Sequence, residues 1–246
     1  MTTNRGVLLN RIIELIRPKP RTLPLSVDDI LGSSAGRPLV EQFNDLYYVA
    51  GAAGNLSWRG VEIIKNPCDL WMMVELFQRL RPVILIETGT HRGGAALFYA
   101  DITRTLGIDC KVVTIDYNPK WGDVDPAANG VTQLVGYSTD DGIMRQVREL
   151  IAARPKGHVL VTLDAGHTEA VVEGELELYS PLVTVGSYLI AEDTNLNGHP
   201  SFKDWGPGPW EAVDKFLGRR KDFVVDQECE RFLLTFNPRG WLKRVA

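Results

Sequence analysis

The chain is expected to fold as an α/β domain with a mainly parallel seven-stranded sheet, helices on both faces and a C-terminal antiparallel hairpin. Three observations predict this. An apolar run, Val83 to Ile86, leads into Glu87-Thr88-Gly89-Thr90-His91-Arg92-Gly93-Gly94 and then into the helical stretch Ala95 to Ala100, which reads as strand, glycine turn and helix. Further strand candidates at 111–116, 131–135, 158–164 and 187–192 alternate with helices near 93–107, 139–153 and 168–179. Strand starts therefore recur at the spacing of βαβ units, roughly 20–30 residues. Finally, Phe223 to Asp226 and Arg231 to Phe236 are separated by only four residues, a distance that permits a hairpin.

Taken from the N-terminus, residues 6–16 carry apolar residues at helical spacing before Pro18, Pro20 and Pro24 break the chain. Ser26 to Leu31 reads as a short capped helix and Leu39 to Tyr48 as another. Residues 1–55 are expected to be a helical extension that serves as a lid, as an oligomer contact or as packing for the outer face. Residues 56–246 form the main domain. Within it, Asn55 to Lys65 reads as a loop with a short extended piece. Asn66 caps a helix with Pro67 at its first position. Leu70, Met73, Val74, Phe77 and Leu80 then form one apolar stripe, a core face rather than a ligand site. Pro209 starts a last helix over Trp210 to Leu217.

Composition narrows the function. The 246 residues are 44% hydrophobic and 24% charged, with 27 basic against 31 acidic residues and a net charge of −4. A chain of this length builds its core without disulfides. The charge argues against nucleic acid as the main partner. Three scattered cysteines, Cys68, Cys110 and Cys229, include no CxxC pair, so neither a disulfide framework nor a zinc site is expected. The N-terminus lacks an apolar signal core, and no apolar stretch reaches membrane-spanning length. A cytoplasmic protein is expected.

Ligands of such sheets bind beyond the C-terminal strand ends. The first turn has Gly89 and then Gly93-Gly94, which is not the G-x-G-x-x-G of a dinucleotide fold. With Glu87 just before, it reads as the first strand and turn of an S-adenosylmethionine (SAM) pocket. Asp116 ends the second strand, where an acid can accept both ribose hydroxyls; this suits NAD and SAM equally. Gly136-Tyr137-Ser138-Thr139-Asp140 follows the third, and either meets an adenine edge or caps the next helix through Ser138 or Thr139. Asp164 ends the fourth strand, and Glu192-Asp193 end the fifth. Three unpaired carboxylates from neighbouring strands repel, and a hard divalent cation resolves the conflict, with Mg²⁺ suited to all-oxygen ligation. His167, three residues past Asp164, is placed to take a proton near pH 7. His167-Thr168-Glu169 also matches half of a non-haem iron triad with His199 as the distal ligand, but such triads belong to β-helix cores. The segment from Asn195 to Pro209 is expected to border the acceptor, with Phe202, Trp205 and Trp210 as walls or as the loop's own packing.

A parallel sheet closed by one antiparallel hairpin is the Rossmann-like arrangement of class I methyltransferases. From about Trp58 to Val245 the chain resembles the family of the cephalosporin 7-methoxylation enzyme and the rhamnosyl O-methyltransferases. The resemblance rests on Glu87-Thr88-Gly89-Thr90, Gly136 to Asp140, Leu163-Asp164-Ala165-Gly166-His167, Tyr179 to Val183, Ala191 to Pro200, Gly206-Pro207-Gly208-Pro209, Phe232 to Pro238 and Gly240-Trp241-Leu242. It implies SAM- and Mg²⁺-dependent O-methylation of a small-molecule hydroxyl acceptor. The implied metal ligands are Asp164, Glu192 and Asp193, with His167 as general base. Glu87, Gly89, Thr90, Asp116 and Asp164 are expected to hold SAM, with Ser138 and Asp140 near the adenosine. A sugar hydroxyl is the favoured acceptor; phenolic and β-lactam hydroxyls fit the same chemistry. A nucleotide-dependent oxidoreductase and a non-catalytic SAM-binding protein are the rivals from other classes. A homo-oligomer is expected, with no nucleic-acid or membrane partner.

Overall fold

A computed structural model describes residues 29, 32–34 and 36–246; the helix expected over 6–16, and most of the one over 26–31, lie outside the described residues. The chain divides into two units, 1–37 and 38–246. Helix α1 spans Gly36–Val49. The strands of a small antiparallel hairpin, β1 (Ser57–Trp58) and β2 (Val61–Glu62), come next. They form where a loop with an extended piece was expected. Helix α2 (Pro67–Leu80) begins as its sequence dictates, with the Asn66 side chain accepting from the Cys68 N–H at 2.8 Å and Pro67 in the first turn.

The main sheet contains β3 (Ile84–Thr88), β4 (Lys111–Asp116), β5 (Val131–Val135), β6 (Val159–Leu163), β7 (Tyr188–Ala191), β8 (Phe223–Val225) and β9 (Trp241–Arg244). Their order is β5-β4-β3-β6-β7-β9-β8. Pairs among β3 to β7 are parallel, and β9 runs antiparallel to both β7 and β8. The other helices are α3 (Gly94–Thr105), α4 (Asp141–Ala152), α5 (Glu169–Tyr179) and α6 (Pro209–Arg219). Alternate residues of β3 feed opposite faces of the sheet. Ile84 and Ile86 join a core with Met144 and Val147 of α4, Leu176 of α5 and Phe216 of α6. Leu85 joins a second core with Met73 and Phe77 of α2 and Leu97 of α3. All five residues of β3 are buried, as a strand covered on both faces requires.

The antiparallel closure exists, but its last strand is not Arg231 to Phe236. That segment holds turns, with Leu233 at φ 68°. Its polar groups face α2 and α1: the Phe236 N–H donates to Asp69 at 2.8 Å, and the Thr235 carbonyl accepts from Asn44 at 2.7 Å. The strand comes later, at Trp241–Arg244, where buried Trp241 and Leu242 enter the two cores in turn. Residues 226–240 therefore form a long crossing in place of a tight turn. Among the described residues no helix is long and apolar enough to cross a membrane. All three cysteines are free.

Candidate active site

Strand order reverses between β3 and β6, since β4 and β5 extend the sheet from one side of β3 and β6 continues it on the other. The crevice at that switch point is where open α/β sheets bind ligands. Gly89 stands on its β3 side with φ 85°. A side chain there would place Cβ 2.0 Å from the Asp164 carbonyl oxygen, so glycine is needed for the close approach of the two strand ends as well as for the turn. Gly94 opens α3 under the same constraint, because a Cβ would lie 2.1 Å from the Glu62 carbonyl oxygen. The β1–β2 hairpin thus lies directly on the N-terminus of α3. Trp58 fixes it there, donating to Asp101 at 2.9 Å and meeting Phe98 edge-on at 5.1 Å. Past the hairpin, Lys65 enters the crevice.

Two cavities adjoin the switch point. One, of about 300 Å³, is lined by Glu62 to Lys65, Glu87, Gly89, Thr90, Asp116, Asp164, His167 and Asp193, among others. The other, of about 410 Å³, is walled by Ile115, Tyr117, Gly136, Tyr137, Ser138, Ala170 and Val171. Gly89, Asp116, Tyr117 and Ala165 belong to both. Tyr117 and Tyr137 stack with centroids 5.1 Å apart. Asp116 braces the turn, accepting from the N–H groups of Thr90 at 3.0 Å, His91 at 2.9 Å and Asn118 at 2.8 Å. Glu87 accepts from the Thr114 hydroxyl at 2.7 Å, while its buried Oε1 has no partner. Burial pushes the Glu87 carboxyl up to about 8 despite the opposing pull of Lys65. Asp140 does not line either cavity; it is exposed at the N-cap of α4, where its side chain makes no capping bond. Neither Ser138 nor Thr139 occupies that cap, and Ser138 is buried with its carbonyl accepting from Tyr179.

The structure brings Asp164, His167 and Asp193 together, with ligand-capable atoms of all three within 4.8 Å of one another. His167 Nε2 lies 3.5 Å from Asp193 Oδ2. Asp193 is held at φ 54°, a costly conformation for a residue with a side chain. The Asn237 amide oxygen accepts its N–H at 3.0 Å and helps fix it there. Glu192 is not in that group. Its oxygens accept from the Thr162 hydroxyl and from Lys65 Nζ, the latter at 2.5 Å. Lys65 Nζ also donates to Asp164 at 2.9 Å. Burial opposes the charge on Lys65, but Asp164 and Glu192 outweigh it and hold the ammonium well above the ordinary lysine value. Burial raises all three acidic groups, with Lys65 opposing the rise at Asp164 and Glu192 and His167 opposing it at Asp193. Three carboxylates against one ammonium leave two negative charges uncompensated. Hard oxygen donors with that balance fit one divalent cation, with Asp164 and Asp193 presented toward His167.

Three neighbours of the site were not visible in the sequence. Lys65 is one. Tyr48 of α1 donates its phenol to Asp193; burial and the charges of Asp193 and Asp164 keep that phenol protonated. Its ring packs edge-on against Phe236 at 4.7 Å and Phe202 at 5.7 Å. Glu175 of α5 is fully buried beside the hydroxyls of Ser138 and Thr88. Burial pushes its carboxyl up to about 7, and the hydroxyls of Ser138 and Thr88 offset this only in part. The available signals were weak: a single lysine between an apolar pair and a helix cap, a Tyr48–Asn44 pair at i,i+4 on α1, and a glutamate amid the apolar positions of α5.

The iron-triad pattern is not assembled. His199 stacks on Trp210 at 4.1 Å and contacts Glu211 at 3.0 Å, while Glu169 pairs with Lys215 at 2.5 Å. Instead, the loop from Asn197 to Gly208 is organised by Glu211, which also accepts from Asn197 and from the Gly208 N–H. Trp205 Nε1 donates to the His167 carbonyl at 3.0 Å, which ties the loop to His167.

The sequence model described as "Rhamnosyl O-methyltransferase/CmcI" matches residues 51–245. A rhamnosyl O-methyltransferase of Mycobacterium leprae is 34% identical over 213 residues, covering 84% of this chain and 90% of its own. That of Mycobacterium tuberculosis is 35% identical over 216 residues, covering 84% and 85%. A solved structure of CmcI, described as "cmcI-D160 Mg-SAM", superposes with a TM-score of 0.62 at 24% identity over 78% of each chain. A second, "cmcI-N160 SAH", gives 0.60 at 21% identity over 78% of this chain and 84% of its own. These two show the same fold.

Proposed function

Because this chain belongs to the rhamnosyl O-methyltransferase/CmcI family and is a SAM-dependent O-methyltransferase, we propose that its acceptor is a sugar hydroxyl of a small natural product and that a divalent cation, Mg²⁺, serves the reaction. The observation that carries this reading is the Asp164–His167–Asp193 group opening into the cavity bordered by Glu87, Gly89, Thr90 and Asp116.

SAM supplies the methyl group: the new O–C bond forms as the S–methyl bond breaks, and S-adenosylhomocysteine leaves. The apolar cavity, with Ile115, Tyr137 and Val171, suits the adenine, and Ser138 lines it too. Asp116 stands between the two cavities, where the ribose hydroxyls reach it. The unpartnered Oε1 of Glu87 is an acceptor for the ammonium of the methionyl end. Asp140, outside both cavities, has no contact with the adenosine in this reading. Asp164 and Asp193 would hold Mg²⁺, with Glu192 behind them as the carboxylate that Lys65 compensates. Mg²⁺, when bound, supplies the Lewis acidity that favours loss of an acceptor hydroxyl proton. His167 takes that proton at Nε2, and Asp193 beside it stabilises the imidazolium that results. Tyr48, Phe202 and Phe236 form an aromatic edge beside Asp193.

Methyl transfer from SAM to a rhamnoside, measured in EDTA and again after Mg²⁺ is restored, tests the proposal. Activity is expected to vanish and return; activity that persists in EDTA removes the cation from the scheme. We also propose a homo-oligomer, supported by the exposed Leu39, Phe43 and Leu46 at helical spacing on α1. Sedimentation velocity tests it, and a monomer at micromolar concentration refutes it. A cytoplasmic location is proposed on the free cysteines.

A further inference from the structure

A third cavity, of about 470 Å³, lies between α1 and the loop after β7, within the size range of small-ligand sites. It is lined by Asp45, Val49, Pro200, Phe202, Lys203, Asp204 and Trp205. Three features distinguish it from ordinary surface relief.

First, it adjoins the reacting centre. Its Phe202 wall meets the ring of Tyr48, whose phenol is bonded to Asp193, and its Trp205 wall is bonded to the His167 carbonyl. Second, its aromatic surface is accessible: Phe202 is 45% exposed and Trp205 48% exposed, with centroids 6.2 Å apart. Third, its polar side chains are uncommitted. Among the described residues, no hydrogen bond or ion pair engages the side chain of Asp45, Lys203 or Asp204. Elsewhere the same loop is densely bonded, with Asn197, His199 and the Gly208 N–H all directed at Glu211. Free carboxylates beside exposed indole and phenyl faces match the two-sided chemistry of a sugar ring. Its C–H face lies on an aromatic plane, and its hydroxyls are donors to carboxylates. Two acids against one lysine disfavour an anionic occupant.

We propose that this cavity is a distal acceptor subsite, taking the neutral sugar ring next to the one that is methylated. The ring lies against Phe202 and Trp205, its hydroxyls donate to Asp45 and Asp204, and Lys203 donates to a hydroxyl or ring oxygen. The inference rests on the sugar-acceptor reading above and extends it from a monosaccharide to a glycoside of at least two rings.

The test is calorimetric binding to the whole protein, loaded with S-adenosylhomocysteine and Mg²⁺. Three probes are compared: a methyl rhamnoside, a methyl rhamnobioside, and a phenyl rhamnoside whose aglycone is apolar. The disaccharide is expected to bind at least about tenfold more tightly than the methyl monosaccharide, as two charge-assisted hydrogen bonds imply. In a Asp45→Asn/Asp204→Asn double variant that advantage should fall to less than about threefold, while the affinity for S-adenosylhomocysteine is unchanged. An advantage that survives the double variant overturns the subsite. So does a phenyl rhamnoside that binds as well as the disaccharide, since it assigns the cavity to an aglycone. If no glycoside binds while S-adenosylhomocysteine does, the sugar reading falls and the subsite falls with it.

Discussion

Replacing Lys65 by methionine removes one ammonium from between two acids. Lys65 Nζ lies 2.9 Å from Asp164 and 2.5 Å from Glu192, and its side chain is 6% exposed. Removing one partner of a buried ion pair typically costs about 3–5 kcal/mol, because the remaining charge stays buried and uncompensated. Glu192 would keep only the Thr162 hydroxyl. The expected loss is therefore about 3–5 kcal/mol at pH 8, a large part of the ~5–15 kcal/mol that holds a typical domain. In a chain of this size that lowers Tm by roughly 10 °C. The loss should shrink toward pH 5, since a carboxyl whose pKa burial already raises can take up a proton and shed its charge. A second change, Glu192→Gln, removes the stranded charge, so the double variant should regain most of the loss. Urea unfolding of metal-free protein at pH 5 and pH 8 measures all three forms. If Lys65→Met stays within about 1 kcal/mol of the parent at pH 8, or if the double variant is no more stable than the single, the ion-pair account is refuted.

Three other outcomes are expected. His167→Ala should lower kcat by about 10²–10⁴-fold, the usual worth of a general base, while calorimetry shows SAM still bound; undiminished turnover would exclude His167 as the base. Glu175→Gln should stabilise the fold at alkaline pH. Its folded pKa of about 7 lies above the ordinary 4.5, so the folded state binds the extra proton and stability falls as pH rises through that window. The shift corresponds to about 3 kcal/mol above pH 8, and equal pH slopes for parent and variant would contradict it. Gly89→Ala should cost both stability and SAM affinity, because its Cβ would meet the Asp164 carbonyl at 2.0 Å in a backbone region that disfavours side chains; a variant with parental Tm and affinity would show that the two strand ends are free to separate.

How far the sequence alone reaches depends on the range of the forces involved. Val83 to Ala100 was readable as strand, turn and helix because an apolar run, a glycine turn and a helix start are local properties. Asn66 and Pro67 announced α2 for the same reason. The acids at 116, 164, 192 and 193 could be placed at strand ends, and a parallel sheet gathers such ends along one edge. The same local logic failed at Arg231 to Phe236. A run of Phe-Leu-Leu-Thr-Phe reads as a strand, yet Asp69 and Asn44 draw its backbone groups away from the sheet, and Trp241–Arg244 takes the ladder.

The βα alternation and the positions of the strand-end acids and of His167 were legible in the linear chain, because each follows from spacing within one or two elements. Which charges meet depends on the folded backbone. Lys65 reaches Asp164 and Glu192 across 99 and 127 residues of chain, and Tyr48 reaches Asp193 from a helix outside the sheet. Electrostatic pairing acts through space, and in a buried site it outweighs solvation only where the folded backbone has already brought the groups together.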